Sequence, residues 1–246
     1  MNVLTNLAAA AVALAAALGA AAQSTRIAVY SHTAGFRHES IEAGVAMLEA
    51  LGAEHGFSVE HTEDPAWFES RNLGVYAAIV WLNTTGSALS PTGKAAFQAY
   101  VERGGGFVGV HAAADTEHVW PWYGELLGCG AWFASHPDIQ AARVLVRDAD
   151  HPSTRHLPAA LQLTDEWYNF EESPSVCTRV LLALDEQSYS PGPGAMGADH
   201  PLAWAREFVR GRAWYTALGH RPELYAQPEF REHVLGGILW AARRAE

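Results

Sequence analysis

The chain has 246 residues, with 27 acidic against 16 basic side chains and a formal net charge of −11. A balance this acidic excludes nucleic acid and an anionic membrane surface as partners, because Lys and Arg are what hold phosphate. The two cysteines, Cys129 and Cys177, lie far apart in sequence and fit either one bridge or two buried thiols.

In chain order, the first 22 residues, "MNVLTNLAAAAVALAAALGAAA", carry no charge and end in small residues. They read as a secretory signal cleaved after Ala22. The other reading is a retained transmembrane anchor, and the short, Ala-rich apolar core favours cleavage. This predicts a single domain over 23–246, exported to the periplasm or secreted, with no membrane association beyond the signal.

"RIAVYS" (Arg26–Ser31) then reads as a buried strand. Ile41, Val45, Leu48 and Leu51 recur at helical spacing, so a helix is expected from Ser40 to about Glu54. "FSVEHT" (Phe57–Thr62) alternates like a strand, and "YAAIVWLN" (Tyr76–Asn83) is another buried one. The next segment carries helix punctuation, with Ser90 as N-cap, Pro91 at the first helical position and Gly104 past the end. "FVGV" (Phe107–Val110) follows as a strand. Strands alternating with helices imply an α/β fold, a mostly parallel sheet with helices on both faces. The second half breaks into short strand-like runs: "ARVLVRD", "LQLTDEWY", "TRVLLALDE", "PLAWARE" and "GRAWYTALGH". Some of these are expected to extend the sheet, as antiparallel additions. "SYSPGPGAMGADHP" (Ser188–Pro201) is a loop, and Phe230, Val234, Ile238 and Ala241 mark one face of a closing helix.

In such sheets ligands bind outside the carboxyl ends of the strands. His32, His111 and His220 each fall just past a strand's carboxyl end, and His38 lies in the same first loop. Three imidazoles at equivalent positions point to a shared pocket. They can act there as acid–base groups, or as ligands of a divalent metal such as zinc together with a carboxylate. The stretch after His111 adds Asp115, Glu117, His118, Trp120, Trp122 and Tyr123, and further on His136. Rings beside carboxylates and imidazoles suit a sugar, although "WPWY" also fits the apolar face of a short helix. "TDEWYNF" supplies Asp165, Glu166 and Tyr168, and alternation allows only one of the two acids to face a given site. His200 ends the Gly/Pro loop, and Arg221 beside His220 can clamp an anion or hydroxyl. His151 and His156 read as loop scaffolding, and His55, His61 and His233 as solvated. No phosphate-binding glycine loop, dinucleotide fingerprint, G-x-S-x-G elbow, H-E-x-x-H or C-x-x-C occurs, so no nucleotide cofactor is expected.

"SHTAGFRHES", "GGGFVGVHAAADT", "WPWYGELLG", "DHPSTRHLP", "DEWYNF", "DHPLAW", "GRAWYTALGHR" and "GGILWAARR" together resemble the ThuA-like, trehalose-utilisation family, from about Arg26 to Arg244. The resemblance implies a flavodoxin-like fold of the class I glutamine-amidotransferase-like superfamily. Where the amidotransferases carry a nucleophilic cysteine, this chain has His111, so acyl transfer through a thiolate is not carried over. The resemblance further implies carbohydrate metabolism, with a sugar as substrate and a partner dehydrogenase that forms 3-keto-sugars. The motif cluster comprises His32, His38, His111, Asp115, His118, His136, Asp165, His200 and His220. On this basis His111, His220, Asp115 and Asp165 are the catalytic candidates. His38, His118, Trp120, Tyr123, His136, Tyr168, His200 and Arg221 are candidates to bind substrate. His32, His111 and His220 are the candidate metal ligands. The expected activity is hydrolysis, elimination or isomerisation of a glycoside or 3-keto-glycoside. The alternative is a non-catalytic sugar-binding or accessory protein on the same scaffold.

Overall fold

The computed structural model describes residues 25–246, so the signal expected over residues 1–22 lies outside the described residues. Among the described residues no helix is long and apolar enough to cross a membrane.

The first half follows the expected alternation: β1 (Thr25–Tyr30), α1 (Ile41–His55), β2 (Phe57–Thr62), a one-turn α2 (Trp67–Ser70), β3 (Ala78–Leu82), α3 (Pro91–Glu102) and β4 (Gly106–Val110). Ser90 caps α3 as its spacing predicts, its side chain accepting from the Gly93 N–H, with Pro91 at the first turn. A 3-10 turn, His111–Asp115, leads to α4 (Pro121–Gly128), the short helix that "WPWY" opens. The second half gives β5 (Phe133–Ser135), β6 (Gln140–Val146), β7 (Ala160–Asp165), β8 (Asn169–Phe170), β9 (Arg179–Asp185), β10 (Pro201–Phe208) and β11 (Gly211–Thr216), closed by α5 (Pro228–Ala241).

Nine strands form one sheet in the order β2-β1-β3-β4-β11-β10-β9-β6-β7. The β2-β1-β3-β4-β11 half is parallel, and the remaining pairs are antiparallel. Four of the five late runs, β6, β7, β9 and β10, form the expected antiparallel extension. β11 pairs parallel to β4, joining the two halves, and brings His220 to the same end of the sheet as His111. β5 and β8 form a separate two-stranded ribbon.

The apolar strands are buried because helices cover both faces. Every residue of β3 and β4 is buried. Trp81, Trp204 and Trp214 are fully enclosed, and burying each such side chain contributes roughly 1.5–3 kcal/mol or more. The predicted stripe Phe230, Val234, Ile238 and Ala241 of α5 is buried against this sheet. His233, expected in solvent, is buried too. Its Nδ1 donates to the Ser153 carbonyl at 2.7 Å, and its Nε2 faces Thr216 Oγ1 at 3.2 Å. The chain bonds Cys129, past the end of α4, to Cys177, before β9.

Candidate metal centre

The side chains with chemistry meet at the carboxyl ends of the parallel strands. His111 follows β4 directly and has φ +48°, a left-handed conformation that few non-glycine residues adopt. Such a backbone costs of order 1–3 kcal/mol and persists only where surrounding contacts impose it. Here they do: His111 Nδ1 donates to the Ala217 carbonyl at 2.7 Å, and the His111 carbonyl accepts from the Tyr215 hydroxyl at 2.8 Å. With its proton on Nδ1, His111 presents a bare Nε2 lone pair.

That lone pair enters a cluster of His38, His111, Glu166 and His220, whose ligating atoms all lie within 4.8 Å of one another. Glu166 Oε2 is 3.4 Å from His111 Nε2 and 3.2 Å from His220 Nδ1. Neither contact closes as a hydrogen bond, and His38 Nδ1 is also buried without a partner. Buried nitrogen acceptors thus face a carboxylate oxygen, an arrangement that requires a proton or a cation among them. A tetrahedral zinc with bonds of about 2.05 Å has donor–donor edges of about 3.3 Å. The contacts of 3.4 and 3.2 Å match that edge. Three imidazoles and one carboxylate also form a donor set suited to zinc or a neighbouring first-row ion.

The electrostatics agree. Burial, with His111 and His220 adding to it, pushes the His38 imidazole down to about 3, so it is neutral near pH 7. For Glu166 burial acts upward. The close His111 and His220 imidazoles outweigh it and hold the carboxyl well below its ordinary range. Burial lowers His220, but Glu166 raises it more, and its pKa lies above the ordinary histidine value.

Asp165 and Glu166 divide the work. β7 ends at Asp165, and the chain turns back over the end of β11. Glu166 enters the cluster, while buried Asp165 accepts from the backbone N–H of Gly219 at 2.8 Å and of Arg221 at 3.2 Å. The Gly219 carbonyl accepts from Ser40 Oγ and the Tyr225 hydroxyl, each at 2.9 Å. His220 is thus gripped by backbone bonds on both sides. Gly219 has φ +123°, and a Cβ there would meet the Tyr225 oxygen at 2.7 Å, so this grip needs glycine.

The other expected site residues fall in three places. At the mouth, His136 Nδ1 is 3.3 Å from Glu166 Oε1. Buried Tyr168 packs its ring on His111 with centroids 4.2 Å apart. On the rim, His118 Nε2 meets Asp115 Oδ1 at 3.0 Å and stacks on Trp132. Arg221 is also at the rim and pairs with Glu223 at 3.3 Å.

The remaining four are not in the cluster. His32 lies on the exposed lip, its Nδ1 donating to the Glu63 carbonyl, and His38 stands in the set in its place. Trp120 is the N-cap of α4, stacked on Trp122. Tyr123 is fully buried and donates to the Ala113 carbonyl. His200 is buried between Glu186 at 2.8 Å and the Tyr168 carbonyl at 2.9 Å, where it holds the Tyr168 backbone. Sequence reasoning missed Glu166 as the cluster's acid. The signal for it was its place beside Asp165: alternation allowed only one of the two acids to face the site, and the family resemblance named Asp165, whereas Glu166 enters the cluster. Phe36, 65% exposed and edge-on to His38, was also missed.

The parallel half-sheet flanked by helices and the left-handed turn after β4 define a flavodoxin-like α/β scaffold. Its fold is similar to that of a Thermoplasma acidophilum protein described as belonging to a GMP synthase, with TM-score 0.52, 12% identity, and 89% of this chain and 95% of that one covered. The model of the ThuA family, trehalose utilisation, matches residues 26–241. The chain belongs to that family. A protein described as ThuA-like from Bacteroides uniformis ATCC 8492 is 26% identical, with TM-score 0.74 over 90% of this chain and 93% of that one. Another, from Parabacteroides merdae ATCC 43184, is 18% identical, with TM-score 0.72 over 89% and 90%. No curated protein matched the chain. Family membership makes this a protein related to carbohydrate utilisation.

Proposed function

We propose that the protein is an exported, divalent-metal-dependent enzyme acting on a glycoside or 3-keto-glycoside, with elimination as the reaction its residues fit best. One observation carries the reading: three imidazole nitrogens and one carboxylate oxygen converge within 4.8 Å while the other ring nitrogen of His111 is committed to a carbonyl. His38, His111, His220 and Glu166 would hold the ion. His111 is fully buried, which suits a ligand better than a base that must reach substrate. When bound, a divalent cation supplies positive charge next to a developing enolate oxygen. The ketone acidifies the neighbouring C–H, so the remaining requirement is a base at the mouth. Export is supported by the Cys129–Cys177 bridge, a bond that persists in oxidising compartments.

The test is metal analysis of the purified protein coupled to a screen of 3-keto-disaccharides. One divalent ion per chain, with turnover abolished in His111→Ala, is expected. A protein that takes no metal, or a His111→Ala variant as active as the parent, would overturn the proposal. Sugar binding without turnover would favour the non-catalytic alternative.

A further inference from the structure

We infer that His136 is the catalytic base of this site, with Nε2 as the atom that takes the proton. The inference rests on the metal-dependent keto-glycoside reading and supplies the group that reading leaves unnamed.

Three observations single it out. First, its tautomer is fixed. Nδ1 lies 2.9 Å from the Pro137 carbonyl and 3.3 Å from Glu166 Oε1, both acceptors, so the neutral ring carries its proton on Nδ1. Nε2 is then a bare lone pair. Second, it can reach substrate. The His136 side chain is 43% exposed, whereas His111 is fully buried. Third, it is tied to the centre through Glu166, whose Oε2 faces His111 and His220 while Oε1 faces His136. The imidazole thus stands one carboxylate away from the cluster. Phe133, Tyr168 and His136 form a stacked wall beside it, with Phe133–Tyr168 centroids 4.3 Å apart and Phe133–His136 5.8 Å.

The other candidate groups are already engaged, Asp115 by His118 among them. His118 has Asp115 on Nε2 at 3.0 Å and Glu171 near Nδ1 at 3.6 Å, so both nitrogens face carboxylates. Asp165 is spent on two backbone amides, and Arg221 carries no basic atom.

The step balances without a co-reactant. Nε2 takes the proton from the carbon between the ketone and the glycosidic carbon. The C–H electron pair becomes a new C=C bond conjugated with the carbonyl. The glycosidic C–O bond breaks with its pair on oxygen, and the proton on Nε2 passes to that oxygen. The products are an alcohol and an enone.

The experiment compares the parent, His136→Ala, and His136→Ala with added imidazole, all loaded with zinc, on a 3-keto-disaccharide in D2O. NMR follows deuterium entering beside the ketone. The variant should bind zinc as the parent does and keep KM within about 3-fold. Exchange and turnover should fall by about 10²–10⁴-fold, and imidazole should restore part of both. Exchange as fast as the parent's, or loss of zinc from the variant, would overturn the base assignment while leaving the metal reading standing. A zinc-loaded parent that exchanges no keto-glycoside would overturn the functional reading, and the base with it.

Discussion

Asp165 offers a sharp test of how the centre is built. Its two carboxylate oxygens accept from Gly219 N and Arg221 N, the amides that flank His220. Asp165→Asn keeps the shape but replaces one acceptor oxygen with an NH2 donor. One of the two amides then faces a donor in a fully buried place. Losing a charge-assisted hydrogen bond and stranding a buried N–H costs about 2–3 kcal/mol. For a domain of this size each kcal/mol lowers Tm by about 2–4 °C, so Tm should fall by about 5–10 °C. His220 also loses its orientation, and weakening the support of a ligand lowers metal affinity by about 10–100-fold. Thermal unfolding and competition with a zinc chelator measure the two effects. A variant with the parent's Tm and zinc affinity would refute the reasoning, because it would show that His220 holds its place without the Asp165 grip.

Four further outcomes are expected. His32→Ala should leave metal content unchanged, since His32 binds the Glu63 carbonyl on the lip; loss of metal on elemental analysis would count against the four-residue centre. Phe36→Ala, at the exposed lip beside His38, should raise KM for a ring substrate by about 2–10-fold, the worth of one stacking contact, with zinc retained. Removing the bridge by Cys129→Ser with Cys177→Ser opens a loop of 48 residues and should cost about 4 kcal/mol, read as a Tm drop of about 10 °C. Stability should fall on acidification: burial lowers His233 to about 3 and His151 to about 4, below the unfolded value of 6.5, so the unfolded chain binds more protons in this window. The stabilisation is complete above pH 6.5 and is lost as pH falls towards 4 and then 3, and His233→Asn should flatten the Tm profile between pH 6.5 and 4.

The parallel half of the fold was legible because its signals are local. Buried apolar runs, the Ser90–Pro91 cap and the stripe on α5 depend on neighbours within a few residues. The histidines at strand ends were legible for the same reason, and two of the three, His111 and His220, reach the cluster. What stayed hidden depends on how distant segments meet. Nothing in "GRAWYTALGH" tells a parallel partner of β4 from an antiparallel edge. Nothing in "EHV" shows that His233 points to Ser153 from α5. Asp165 and Glu166 could not be assigned because their roles are set by the turn back over β11, beyond the reach of strand alternation. The bridge was undecidable for the same reason, since its partners meet only once α4 and the approach to β9 are in place.

The four donors come from residues 38, 111, 166 and 220, at the ends of separate elements. A chain that has not finished folding therefore holds four isolated weak donors rather than a chelate. An ion would be captured at the last stage of assembly, after β11 has docked on β4 and the chain from β7 has turned back. If the protein is exported unfolded and holds an ion as proposed, it would acquire that ion in the compartment where folding ends, and the supply of metal there, not in the cytoplasm, would decide which ion it holds.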